Sequence, residues 1–400
     1  MSDDKKKEQI DKLLTLVQKD FKKAFKDSET EFIDGKDELD PTGLLLDCPL
    51  LEKLLSSRFL IYGRCYLIYG NKADGKTSFF YDMAKRFQKA GGLVFWLETE
   101  NAASKVYAFQ QGLNIDEVKL SHPQTLEEAL TSIEGIILNL PKAFPEGETP
   151  VLICLDSIAG TMTEYESDQN IIGETKPGNH AKLLSEFYRK ITNPLSHEKC
   201  IVLTINQLRE QIGSFGGFGE EKPEAMIGGR APRFHSTYQL KFARTGDILE
   251  VDPEHDKVKI KVGSSHKITC KRNKLGIEGN NQFIQVDSRV QGGYTWFESC
   301  VEDLGKNYEK LMTKAGGYYR WNIPNTKFLN PNSQQEEVIN IEQSYLVRDM
   351  ATIIANSEQA KELIREAYHV PPLPSYEEVV KVENENKKKR KKKVSEPKTL

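Results

Sequence analysis

Several things are scarce in this sequence. Apolar residues fill only 38% of its 400 positions, and no apolar run is long enough to span a bilayer. Neither sign of charge dominates: 56 Lys and Arg against 59 Asp and Glu leave a net charge of −3, so the overall balance names no partner. Cysteine is sparse and scattered. Cys48, Cys65, Cys154, Cys200, Cys270 and Cys300 form no C-x-x-C pair and no zinc-ligand spacing, and several sit inside apolar runs. They read as core thiols in a reducing compartment, which sets aside disulfide scaffolds and structural zinc. Met1-Ser2-Asp3-Asp4-Lys5-Lys6-Lys7 lacks the apolar stretch of a signal peptide, and there is no internal repeat. The expectation is a soluble cytoplasmic protein with no membrane partner, divided by length into two or three domains.

What is present is organised around Gly70-Asn71-Lys72-Ala73-Asp74-Gly75-Lys76-Thr77. An apolar run, Cys65 to Tyr69, precedes it and reads as a buried strand; a stretch of helical spacing opens with Ser78. Strand, G-x-x-x-x-G-K-T, helix is the phosphate-binding loop in its required context. Its glycines let backbone N–H groups turn inward around phosphate oxygens, and the helix terminus adds partial positive charge. Lys76 is expected at the β- and γ-phosphates and Thr77 at Mg²⁺.

Strand candidates at 65–69, 93–98, 151–155 and 201–205 alternate with helical stretches at 77–90, 102–112, 125–141 and 178–193. Continuous apolar strands alternating with amphipathic helices predict an α/β core with a mostly parallel sheet covered on both faces. From 237 the strands alternate apolar and polar, which predicts an antiparallel extension ending near 290. Before the core, Ile10, Leu13, Leu14, Val17, Phe21, Ala24 and Phe25 form one apolar helical face. The expected division is an N-terminal helix and linker at 1–43, the core at 44–292, a small C-terminal α/β unit at 293–374 and a polar tail at 375–400. That tail holds a seven-residue basic run, Lys387 to Lys393, too charged to pack.

Four further stretches carry chemistry. Asp156, ending the apolar run Val151 to Leu155, suits an acid that holds Mg²⁺ beside Thr77. Glu98 and Glu100 close the neighbouring strand. One of them is placed to activate the attacking water, and a solvated terminus or helix cap is the other reading. Gln207 follows the strand at 201–205 and leads into a Gly-rich segment with Phe215 and Phe218, up to Gly228-Gly229-Arg230. A nucleotide-switched single-strand site fits this pattern, as does a plain surface loop. Lys271, Arg272 and Lys274 lie between two strands, either solvated or reaching a phosphate across a subunit boundary.

Together these residues carry a resemblance to the RecA family of DNA strand-exchange recombinases, phage UvsX-type proteins included. It runs from about residue 5 to about 368, through Glu100-Asn101-Ala102, Val106-Tyr107-Ala108, Ser121-His122-Pro123-Gln124-Thr125, Leu155-Asp156-Ser157-Ile158-Ala159, Ile205-Asn206-Gln207-Leu208-Arg209 and Ala315-Gly316-Gly317. The resemblance implies a DNA-dependent ATPase using ATP and Mg²⁺, with Gly70 through Ser78 on the nucleotide and Glu100, not Glu98, as the catalytic carboxylate. It implies Gln207 as the γ-phosphate sensor, Tyr107 stacked on adenine, and Arg272 and Lys274 reaching a neighbour's nucleotide. DNA loops are implied at about 160–178 and 207–228, with contacts from Lys182, Ser185, Arg189, Arg209, Ile212, Gly228 and Gly229. Ser104 stands where bacterial members carry an Asp facing the base, and Gln211 where a basic residue is usual.

Single-stranded DNA, homologous duplex DNA and other copies in a helical filament are the implied partners, the first helix docking on the adjacent copy. The resemblance also admits a single-strand-binding protein and a loader. Bacterial members end acidic; the basic tail here, and the divergence, lean toward a phage origin. A ring helicase on the same core, or a scaffold that uses ATP only as a switch, are the other readings.

Overall fold

The computed structural model describes residues 42–370 except 103, 146, 169–177, 211–223, 253–254 and 276–281, together with 12, 13, 15, 17 and 19. The basic tail and most of the expected first helix therefore lie outside the described residues. The five described positions near the N-terminus are helical, and Leu13 and Val17 are exposed there.

The centre of the molecule is strand β3 (Arg64–Gly70), where Cys65 to Tyr69 are all buried. Preceding it are β1 (Gly43–Leu45), helix α1 (Pro49–Leu55) and β2 (Phe59–Ile61). The chain then continues through α2 (Lys76–Lys89), β4 (Leu93–Glu98), α3 (Lys105–Gln110), β5 (Val118–Ser121), α4 (Leu126–Ala143), β6 (Val151–Asp156), the short α5 (Glu164–Ser167), α6 (Asn179–Ser196) and β7 (Cys200–Glu210). After β8 (Glu224–Met226) and α7 (Ala231–His235) come β9 (Tyr238–Asp252), β10 (His255–Asn273), β11 (Phe283–Arg289) and β12 (Gly293–Tyr294).

One sheet takes the order β12-β11-β10-β9-β3-β7-β6-β4-β5, with β8 hydrogen-bonded to β7. From β9 through β3 to β5 neighbours run parallel; from β9 to β12 they run antiparallel. Alternation along β6 shows how both faces are covered. Leu152 and Cys154 pack with the α2 aromatics Phe79, Phe80 and Phe87, while Val151, Ile153 and Leu155 pack with Ile133 and Ile137 of α4 and Tyr188 and Ile191 of α6. The predicted parallel core and antiparallel extension are both present. Strand β5 was not predicted, because Val118 is its only buried residue.

C-terminal to β12 lie α8 (Trp296–Asn307), a three-stranded sheet of Met312–Ala315, Tyr318–Trp321 and Tyr345–Leu346, a small hairpin, and two helices, α9 (Val347–Ala355) and α10 (Glu358–Ala367). The apolar core runs without a break from this unit into α1: Trp321, Met350 and Ile364 belong to the same cluster as Leu50, Leu51 and Leu54. A buried ion network reinforces the junction. Arg365 holds Glu52 through Nε at 2.7 Å and Nη2 at 3.0 Å, and Lys361 holds Asp47 at 2.8 Å. Glu52 has no exposed surface and Arg365 is 4% exposed. Among the described residues no helix is long and apolar enough to cross a membrane.

Candidate nucleotide site

The loop after β3 is held open by its own backbone. Gly75 caps α2 with φ +92°, a left-handed conformation that costs glycine little. A Cβ there would stand 2.7 Å from the Tyr294 hydroxyl and 2.8 Å from Cε1 of His266, and the Tyr294 hydroxyl donates to the Gly75 carbonyl at 3.0 Å. Asp74 turns inward to the backbone, accepting from Asn71 N at 2.6 Å and from Arg244 N, on β9, at 3.1 Å. Loop and sheet are thereby joined before any ligand arrives.

This loop opens onto a cavity of about 380 Å³. Lys72, Ala73, Asp74, Gly75, Lys76, Thr77, Ser78, Glu100, Tyr107, Asp156 and Gln207 all line it, so it gathers predicted residues from the loop after β3, α2, the turn after β4, α3, β6 and β7. Lys76 folds back so that Nζ donates to the carbonyls of Gly70 at 3.2 Å and Asn71 at 2.5 Å. Burial lowers its pKa, opposed by the nearby charges of Asp74, Asp156 and Glu100. Oγ1 of Thr77 donates to Oδ2 of Asp156 at 2.8 Å. Burial pushes the Asp156 carboxyl up to about 6, while the Thr77 hydrogen bond pulls the other way. A hydroxyl and a carboxylate side by side at a helix N-terminus are oxygen donors of the kind Mg²⁺ takes alongside phosphate, and an inward-turned lysine over an open loop matches a phosphate. The residues present thus fit Mg²⁺ and a nucleoside triphosphate.

The two carboxylates at the end of β4 part ways. Glu98 is 2% exposed and faces inward; Glu100 faces the cavity. Oε1 of Glu100 accepts from Ser157 Oγ at 2.5 Å and from Gln207 Nε2 at 2.6 Å. Tyr107 shares a hydrogen bond with Ser78 at 3.1 Å. Ser104 caps α3, its Oγ accepting from Tyr107 N at 3.2 Å, so its hydroxyl serves the helix that presents Tyr107.

A second wall was invisible in the sequence. Arg244, Lys261, Ser264, His266, Ser288 and Arg289 line the cavity from β9, β10 and β11. Register shifts between Lys261 and Gly263 and between Ser265 and His266 break the two-residue period, so strand alternation gives no sign of which side chains face the loop.

Other predicted residues lie away from the cavity. Arg272 and Lys274 sit at the opposite end of the sheet, where Asn273 pairs with Tyr238 and Tyr238 with Tyr66, near the start of β3. The P-loop follows the other end of that strand, about 13 Å from Tyr66 by strand rise. Nη1 of Arg272 donates to the Arg233 carbonyl at 3.3 Å, and Nζ of Lys274 to the Phe234 carbonyl at 2.5 Å. Lys274 Nζ also lies 5.7 Å from the centroid of the exposed Phe234 ring.

Lys182, Ser185 and Arg189, three and four apart, share one face of α6. Lys182 and Arg189 are exposed, Ser185 is half-buried, and Arg189 Nε donates to the Ser185 carbonyl at 3.2 Å. Gly228 and Gly229, with φ +86° and +66°, lie against the same helix. Cβ atoms there would meet Leu184 Cδ1 at 2.2 Å and Ala181 Cβ at 3.0 Å. Gly228-Gly229 thus lies beside the face that carries Lys182 and Ser185. The backbone of Arg209 pairs with Ala225 in the β7–β8 ladder. Its side chain, Gln211, Ile212 and much of both expected DNA loops lie outside the described residues.

A family model described as the RecA N-terminal domain matches residues 48–281. The protein RecA of Xanthomonas campestris pv. campestris is 29% identical over 320 residues, covering 80% of this chain and 85% of that relative. The protein RecA of Delftia acidovorans is 29% identical over 260 residues, covering 65% of this chain and 64% of that relative.

Proposed function

The chain belongs to the RecA family, and from that premise we propose that it is an ATP-dependent recombination protein that polymerises on single-stranded DNA and exchanges strands with a homologous duplex. The observation that carries the reading is the contact between Gln207 and Glu100. It joins the cavity to the strand leading directly into the Gly-rich segment.

In this proposal Lys76 donates to the β- and γ-phosphates, and Thr77 and Asp156 hold Mg²⁺, which when bound offsets phosphate charge. Tyr107 stacks on the adenine. Glu100 takes the proton from the attacking water. Loss of the γ-phosphate changes what Gln207 bonds, and β7 carries that change to the DNA segment. Arg272 and Lys274 point away from their own cavity and complete the site of an adjacent copy. A head-to-tail contact of this kind does not close, which gives a filament.

Single-stranded DNA lies along α6 and Gly228-Gly229, contacted by Lys182, Ser185, Arg189, Arg209 and, as a wedge between bases, Ile212. Exposed Leu13 and Val17 support docking of the N-terminal helix on the next copy. Cytoplasm is the proposed location, that of the host if a phage encodes the chain.

The test is ATP hydrolysis with and without single-stranded DNA at fixed low salt. Strong stimulation, lost in Lys76→Ala, is the expected result. Rapid hydrolysis without DNA, or none with it, would break the proposed link.

A further inference from the structure

We propose that Glu98 is a positioning residue for ATP hydrolysis: its buried carboxylate, close to His122, fixes the turn that presents Glu100 to the cavity. The inference rests on reading Glu100 as the base, and it assigns a task to the one carboxylate of the pair that the reaction leaves unused.

Glu98 is the last residue of β4, in register with Asp156 of β6. Beyond it the strand stops and the chain turns sharply, with Asn101 in the left-handed region at φ +52°. A turn of this kind needs its N–H groups satisfied. Glu98 does this with a single atom: Oε1 accepts from Glu100 N at 3.0 Å and from Ala102 N at 3.1 Å. The other oxygen, Oε2, faces Nδ1 of His122 at 3.2 Å. His122 follows β5 on the adjacent strand and also lies 3.3 Å from the Glu98 carbonyl. The residue between the two carboxylates is pinned as well. Thr99 Oγ1 accepts from Ser157 N at 2.9 Å and donates to the Ser157 carbonyl at 2.8 Å.

The Glu100 backbone is therefore held from the Glu98 side, and its carboxylate from the other side by Ser157 and Gln207. Glu98 itself does not line the cavity. A base displaced by about 1 Å loses about a hundredfold in rate, so releasing the turn reaches chemistry without touching the nucleotide. An amide at position 98 keeps an oxygen for both N–H groups and offers an N–H to His122. An alanine removes all of these bonds. Aspartate keeps the charge but draws the oxygen back by one methylene.

The experiment compares Glu98→Gln, Glu98→Asp, Glu98→Ala, His122→Ala and Glu100→Gln in the full chain. It reads kcat and KM for ATP with single-stranded DNA, the affinity for a fluorescent ATP analogue, and the melting temperature. Expected are a fall in kcat of about 30- to 100-fold in Glu98→Ala and about tenfold in Glu98→Asp, with analogue affinity held within about threefold. Glu98→Gln keeps kcat within about threefold, whereas Glu100→Gln loses it, and His122→Ala falls between.

Wild-type kcat in Glu98→Asp would overturn the proposal even if Glu98→Ala fails to fold. So would Glu98→Gln as inactive as Glu100→Gln, since that result would make the carboxylate itself chemical. Equal losses of kcat and analogue affinity would reduce Glu98 to general structure. Normal turnover in Glu100→Gln fails the base assignment instead, and is read separately from the Glu98 series.

Discussion

Nε2 of Gln207 donates to Oε1 of Glu100 across 2.6 Å, joining β7 to the turn after β4; the two strands are not neighbours in the sheet. The strand between them, β6, ends in Asp156. Three adjacent polar strand ends thus face one cavity, and one of them leads into the Gly-rich segment. A change of partner at Gln207 is a change at the root of the β7–β8 ribbon.

Glu100→Gln removes the proton acceptor while keeping an oxygen for Ser157. Hydrolysis should fall by about 10²- to 10⁴-fold, with ATP affinity and ATP-dependent binding to single-stranded DNA retained. Single-turnover hydrolysis alongside a filter-binding assay checks both halves, and normal turnover would remove Glu100 from its role.

Placing Arg272 and Lys274 at the far end of the sheet predicts complementation. Lys76→Ala alone and Arg272→Ala/Lys274→Ala alone should each be inactive. Mixed in equal amounts, they should recover about a quarter of parental turnover, because one contact in four then pairs an intact loop with an intact basic pair. No recovery in the mixture would argue that the pair does not act across copies.

Asp156 carries a pH signature. Its carboxyl titrates near 6 in the fold, pushed up chiefly by burial, against about 4 when unfolded. Its ionised form therefore destabilises the nucleotide-free protein above pH 6, and that penalty fades as pH falls toward 4. Nucleotide-free Asp156→Asn should be more stable than the parent at pH 8, on the order of 2 kcal/mol, with the gap closing by pH 4. The same change should weaken Mg²⁺-dependent ATP binding. Thermal melts across pH and nucleotide titrations with and without Mg²⁺ read the two effects.

At the junction with the C-terminal unit, Glu52→Ala removes the buried partner of Arg365 and leaves its guanidinium to the half-exposed Asp47 and Glu362. Breaking a wholly buried pair costs about 3–5 kcal/mol; with two partners retained the loss should fall below that, to be read in urea unfolding. Replacing Glu52 and Arg365 together by apolar residues should cost less than the single change. An equal or larger cost in the double variant would show that the pair is favourable in itself.

Much of this architecture is legible in the residues. Strands β3, β4, β6 and β7 announce themselves as unbroken apolar runs because both of their faces are covered. The P-loop announces itself because few residue combinations allow its backbone to ring a phosphate. Other features are set by long-range geometry. Glu98 and Glu100, two apart, would point the same way if the strand continued; the turn at Asn101 separates them, and nothing local marks it except an asparagine. His266 and Lys261 reach the cavity through irregular register in β10, which depends on how that strand meets β9. Glu52, Lys361 and Arg365 look like ordinary surface charges until α10 folds back onto α1, some three hundred positions away in the chain.

The opposed placement of the P-loop and the Arg272–Lys274 pair has an arithmetic consequence. On the proposed arrangement each complete catalytic centre is assembled from two halves, so a row always holds one fewer centre than it has members. The P-loop of the member at one terminus is idle. Turnover per molecule then rises with the length of the row and levels off, and at low concentration a simple phosphate-release assay becomes a ruler for how many molecules stand in line.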